Sequence, residues 1–287
     1  MVRRVSPAQL RSQIRQAQQK AQRAVNNYNQ SVRKVNQAID SYNREARAHN
    51  ARVRANQQRL QREIAKLKSR PATTRYVTYG SSVQTLQRSF TRVETAVQTG
   101  AWSDDRNLLD LAEGETANSV AALNTLLADP AEATEDGLDL QATAIGSELA
   151  EINPDLDARW RGALYALSPK NPDAARHFCT SAREMITTIL ELEAPDAAVK
   201  AAIPDYPKTP NGGVSRRARI QYFVQRRGDE HESLTEFVDE DINSVIALFD
   251  EFNRGTHGSA GSFSLGQLGA IKNRVEGAIR FIHRLIR

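Results

Sequence analysis

Cysteine is almost absent. Cys179 stands alone in 287 residues, so no intrachain disulfide can form. The five histidines are scattered and supply neither the CxxC nor the HxxxH spacing of a metal site. No metal and no cofactor is therefore expected. Long apolar runs are missing as well. The first thirteen residues carry Arg3, Arg4 and Arg11 without a hydrophobic stretch, which argues against a secretory signal or a membrane span and makes a reducing cytoplasm the expected compartment. No GxxxxGK[ST] phosphate loop, strand-borne GxGxxG or GxSxG elbow occurs, so nucleotide-loop and serine-hydrolase chemistry find no support. The first seventy residues also lack acid: Asp40, Glu45 and Glu63 face 17 Lys and Arg, a net of +14. From a total of +5, that leaves −9 for residues 71 to 287. Charge is sorted along the chain.

What is present is ordinary globular composition, 40% apolar and 25% charged, enough to bury a core. Residues 8 to 70 contain neither proline nor glycine. Their apolar residues fall on two lines spaced by seven: Val25, Val32, Ile39, Ala46, Val53, Leu60 and Leu67 on one, and Ile14, Ala21, Tyr28, Val35 and Tyr42 on the other. The offset of three is the a/d pattern of a coiled coil. The second line turns polar at His49 and Asn56, and Asn29, Asn36, Asn43 and Asn50 form a third line. A helix of about 60 residues would extend roughly 90 Å. A seam so poor in Leu predicts either self-association, giving a homo-oligomer through this helix, or an antiparallel return against the following segment. The Arg-rich remainder of the helix can attract a phosphate backbone by counterion release or dock on the acidic body.

Three regions are expected: a basic coiled-coil arm at 1–70, connector and middle helices at 71–145, and a C-terminal helical domain at 146–287. The fold class is all-α, a long N-terminal coiled-coil helix followed by a helical bundle body. Arg75 to Gly80 is the single short stretch whose composition favours extended structure. Helices are predicted from Ser82 to Gly100, from about Leu108 with Ser103-Asp104-Asp105 as its cap, and from Asn153-Pro154. Further helices are predicted over about 174–192, around Ile220, from Ile242 to Phe252 and from Leu265 to Ile286.

Several clusters carry candidate chemistry. Arg176 and Arg183 share one face of their helix and are candidate nucleic-acid contacts. Arg216, Arg217 and Arg219 stand beside Tyr222 and Phe223, a mixture that binds single-stranded nucleic acid through phosphate contact and stacking, or that simply edges an amphipathic helix. Arg254 and His257 sit at a glycine-rich helix junction, where imidazole can move a proton of the 2′-hydroxyl or leaving group and guanidinium can stabilise phosphorane charge. That pair is the candidate for metal-independent RNA cleavage. Asp239-Glu240-Asp241 and Asp229-Glu230-His231-Glu232 read as helix-start charges or cation ligands. Cys179 lies beside an apolar face and is expected in the core.

The runs Trp160-Arg161-Gly162-Ala163-Leu164, Arg176 to Glu184 and Phe252 to Gly258 resemble the predicted pPIWI-associating nucleases and the wider HEPN class of helical ribonuclease and RNA-binding domains. The resemblance covers roughly residues 150 to 287. It implies a role in a prokaryotic conflict or phage-defence system, with nucleic acid, RNA above all, as the partner. HEPN ribonucleases place four to six residues between their Arg and His, whereas Arg254 and His257 enclose two. The competing reading is a non-enzymatic coiled-coil assembly or adaptor protein.

Overall fold

The computed structural model describes residues 6–71, 74–104, 107–128, 139–168, 170–228, 231–254 and 263–286, the side chains of 253 and 254 excepted. Among these residues there are ten α-helices and no strand, apart from one isolated bridge between Lys208 and Val214. No helix among them is long and apolar enough to cross a membrane. The chain divides into two compact units, residues 1–55 and 56–287.

Helix α1 (Pro7–Lys68) is continuous over 62 residues. Pro7 follows a capping box in which the Ser6 hydroxyl accepts from the Gln9 amide and the Gln9 side chain accepts from the Ser6 amide. Up to Tyr42 the heptad residues stay open to solvent: Ile14, Val25, Tyr28, Val35, Ile39 and Tyr42 are each at least half exposed. The seam is drawn in sequence and unfilled in the single chain.

From Asn56 onward α1 belongs to the second unit. Asn56 donates to the Asp110 carboxylate at 2.7 Å, Asn124 donates to Glu63 at 2.7 Å, and Arg70 donates to the Leu127 carbonyl at 3.1 Å. These pairs ascend together, so the end of α1 runs in the same direction as α3 (Leu108–Leu126). Leu60 is buried there, and Ile64 and Leu67 pack against the core. The side-chain hydrogen bonds at this end of α1 thus join it, in parallel, to α3 and the residue that follows it.

That next helix, α2 (Val77–Gln98), begins inside the stretch predicted to be extended. Tertiary contacts override composition here. The Glu251 carboxylate accepts from the Thr78 amide at 2.7 Å and the Tyr79 amide at 3.3 Å, so a side chain from another helix satisfies the orphan donors of the first turn. Tyr79 is fully buried and its hydroxyl donates to the Ser119 carbonyl. Tyr76 adopts φ 56°, turning the chain into the helix.

Other starts follow their sequence signals. Asp104 accepts from the Leu108 and Leu109 amides at 2.6 and 3.0 Å, and Asn153 caps α5 (Pro154–Ala166) with Pro154 in its first turn. The body is completed by α4 (Gly146–Ile152), α6 (Ala174–Glu193), α7 (Asp196–Ala202), α8 (Arg216–Arg226), α9 (Glu232–Arg254) and α10 (Leu265–Ile286). Helix α2 packs on α9 and α3 on α10, while α6 and α8 also lean on α9. Helices from 71–145 and from 146–287 thus line the same apolar core, which runs from Leu60 to Ile286.

An ion cluster sits inside this core. Arg274 of α10, with a wholly buried side chain, donates to Asp241 of α9 at 2.6 Å and to Glu115 of α3 at 3.0 Å. Burial raises Asp241, although Arg274 pulls it down. Burial and the neighbouring Asp241 push Glu115 up to about 8. Burial alone would lower Arg274, but Asp241 and Glu115 more than offset it. Gly277 makes room for the cluster: a β-carbon there would lie 2.8 Å from Asn118 Nδ2 and 3.0 Å from Glu115 Oε1.

Candidate nucleic-acid interface

Helices α6, α8 and α9 leave a groove of about 230 Å3 between them. Its floor is apolar, built by Ile186 and Leu190 from α6, and by Ile242, Ile246 and Phe249 from α9. Its walls carry Arg183 from α6 and Arg216 and Arg219 from α8. Three of the six arginines singled out in the sequence therefore meet in one place, although Arg183 and Arg216 stand 33 positions apart along the chain.

Each guanidinium is held by a carboxylate. Arg183 pairs with Asp250 at 2.5 Å and lies over the Phe249 ring, 5.9 Å from its centre. Arg216 pairs with Asp239 at 3.1 Å and donates to Asn243. Arg219 pairs with Asp196 at 2.6 Å and donates to the Ala194 carbonyl. A guanidinium has five N–H donors in a planar fork, so these contacts fix each plane without consuming every donor. Arg183 Nε is buried and meets no acceptor among the described residues.

The other sequence candidates lie elsewhere. Arg176 is exposed and pairs with Asp173 at the start of α6. Arg217 faces away from the groove into a second hollow, shared with Gln221, His231 and Glu232. The aromatics of α8 are not free to stack: Phe223 is fully buried, and Tyr222 packs on the core with Arg226 over its ring. His257 lies outside the described residues, as does the side chain of Arg254, whose backbone ends α9. Asp250, the partner of Arg183, is one turn before that end.

Two of the acidic triplet of α9 serve ion pairs. Asp239 holds Arg216, and Asp241 holds Arg274. Asp229 and Glu230 lie outside the described residues; His231 bonds Ser233 at 2.7 Å and packs beside Trp102. Cys179 is buried against the core, and burial pushes its thiol up, which leaves it protonated and unreactive.

Sequence reasoning did not single out two sets of residues. Arg274 was hidden within the core stripe, between Ile271 and Val275, and its position on that stripe was the signal. Arg280, His283 and Arg284 close α10 at helical spacing around a separate hollow of about 500 Å3, which they share with Arg227.

Residues 149–282 match the model of a family described as predicted pPIWI-associating nuclease. That region contains the whole groove, together with Arg254 and His257. No curated protein and no solved structure matches the chain.

Proposed function

We propose that this protein is a nucleic-acid-binding effector of a prokaryotic conflict or phage-defence system. Its helical body holds single-stranded RNA along the α6–α8–α9 groove, and Arg254 and His257 supply a metal-independent cleavage site. The observation that carries the reading is the convergence of Arg183, Arg216 and Arg219, from two helices distant in sequence, within the region that matches a predicted nuclease family. In this reading the arginines bind phosphates while Arg254 and His257 divide the work of charge stabilisation and proton transfer. The exposed heptad seam of α1 joins copies of the chain, so that grooves act together.

Incubation of the full chain with RNA and with single-stranded DNA in the presence of a chelator tests the reading, beside a His257→Ala variant. RNA cleavage lost in the variant is the expected result. Wild type and variant behaving alike removes the catalytic proposal. A second reading, a non-enzymatic assembly protein, is favoured by one specific feature: every groove arginine already has a carboxylate partner. Absence of both RNA binding and cleavage, with self-association retained, would support it.

A further inference from the structure

The arm is two-sided in charge as well as in hydropathy. With Val25, Val32 and Ile39 lettered a, and Tyr28, Val35 and Tyr42 lettered d, the positions beside the seam are neutral from residue 16 to residue 43. Asn29, Asn36 and Asn43 stand at e, and Ala24, Ser31 and Ala38 at g. The cations gather on the far side, at b, c and f: Lys20 with Arg23, then Arg33 with Lys34, then Arg44, Arg47 and Arg54. Asp40 is the one carboxylate at those positions between residues 16 and 55. This face points away from the seam, so it stays open when a second helix fills the seam.

All seven cations are exposed, and none makes an ion pair or a side-chain hydrogen bond among the described residues. The second unit behaves differently: Arg183, Arg216, Arg219 and Arg280 each meet a carboxylate. A solvated helix face ordinarily mixes the two signs, with carboxylates three or four residues from cations. Seven cations to one carboxylate is not that pattern. Lys20 and Arg23, and again Arg44 and Arg47, stand three residues apart, where like charges are neighbours at a cost that an anionic partner removes.

The form of the face selects among polyanions. From residue 20 to residue 54 it extends roughly 50 Å at 1.5 Å per residue, on one continuous helix. A nucleic-acid single strand is held by stacking of its bases on aromatic rings as well as by phosphate contact. No aromatic residue occupies a b, c or f position here; Tyr28 and Tyr42 lie on the seam. A duplex needs no rings. Its phosphates are regularly spaced, Lys and Arg neutralise them without reading sequence, and the major groove of DNA admits an α-helix. Positions b and c flank f, so the cations spread toward both edges of such a groove.

We propose that the outer face of α1 binds double-stranded nucleic acid through its phosphate backbone. Arg33, Lys34, Arg44 and Arg47 form the centre of the contact, with Lys20, Arg23 and Arg54 extending it along the helix. The choice of a nucleic acid among polyanions rests on the nucleic-acid reading above; the demand for an anionic partner follows from the face itself. No residue is shared with the groove, so duplex binding by the arm is separable from single-strand binding by the body.

Fluorescence anisotropy of the full chain with a labelled duplex of about 20 base pairs, longer than the face at about 3.4 Å per pair, tests the site over a salt series. The duplex is supplied as DNA and as RNA, beside an Arg33→Gln/Lys34→Gln/Arg44→Gln/Arg47→Gln variant. Glutamine keeps the helix propensity, and the variant should retain the wild-type denaturation midpoint and sedimentation. It should bind at least about tenfold more weakly, with a slope of log K against log salt shallower by as much as about 3.6, four contacts at about 0.9 each. An Arg33→Lys/Arg44→Lys/Arg47→Lys variant should stay close to wild type, because charge alone carries the contact. Tighter binding of DNA than of RNA identifies entry into the major groove, which in RNA is too deep and narrow; equal binding identifies contact with the backbone alone. An Arg183→Gln/Arg216→Gln variant should bind the duplex as wild type does, so the site stands even where the groove holds no RNA. Wild type that binds neither duplex at low salt, a four-residue variant indistinguishable from wild type, or equal competition by polyglutamate of matched charge overturns it even where groove-dependent RNA binding is measured.

Discussion

The two units use the same two kinds of residue in opposite ways. In residues 1–55 the apolar side chains, from Ile14 to Tyr42, are exposed along a heptad stripe and the charges are solvated. In residues 56–287 the apolar side chains fill a core, and many charges are paired, one set of them deep inside it. Burial of apolar area is the main favourable term in folding, so the second unit has its driving force within the chain. The first unit does not. A long helix with an open seam has no such driving force of its own, and in the proposed reading a second copy of the chain supplies it.

The contrast is broken most strongly at its buried charges. Arg274→Met should lower stability by about 3–5 kcal/mol, because it strands Asp241 and Glu115 away from water; chemical denaturation measures it. An effect below 1 kcal/mol would mean that the cluster is solvated. The pH dependence probes the same place. The folded state holds a proton on Glu115 up to about 8, and on Glu113 up to about 7 through burial and the nearby Asp110 and Glu94, whereas the unfolded chain releases both near 4.5. The folded state binds more protons in that window. The stability these groups contribute is therefore full below pH 4.5 and is lost as the pH rises to about 8, a change on the order of a few kcal/mol. Denaturation midpoints at pH 5 and pH 8.5 should differ in that sense, and removal of the carboxyl in Glu115→Gln should flatten the difference.

Smaller substitutions sharpen it. Gly277→Ala gains helix propensity but presses a methyl group against Asn118 and Glu115. It should cost about 1–3 kcal/mol, with the largest loss at high pH, where Glu115 is charged. A Val32→Asn and Ile39→Asn pair in the arm should change unfolding of the body by less than about 0.5 kcal/mol, yet shift sedimentation of the full chain toward the monomer. Unchanged sedimentation would show that the seam does not join copies of the chain.

The uneven legibility of the sequence has the same origin. Heptad spacing, the absence of Pro and Gly, and caps such as Asp104 and Asn153 are local signals, and they marked α1, α3 and α5 correctly. Helix α2 was misjudged at its start because Glu251, far along the chain, caps it. Arg183 and Arg216 were legible as residue types; the groove was not, because it depends on how α6, α8 and α9 pack.

The most direct test of the account is the salt dependence of single-stranded RNA binding by the full chain and by an Arg183→Gln/Arg216→Gln variant that retains the wild-type denaturation midpoint. Each phosphate contact contributes about 0.7 to the slope of log K against log salt. The account predicts a slope shallower by roughly 1.4 in the variant. An identical slope and affinity would place any RNA contact outside the groove and contradict it.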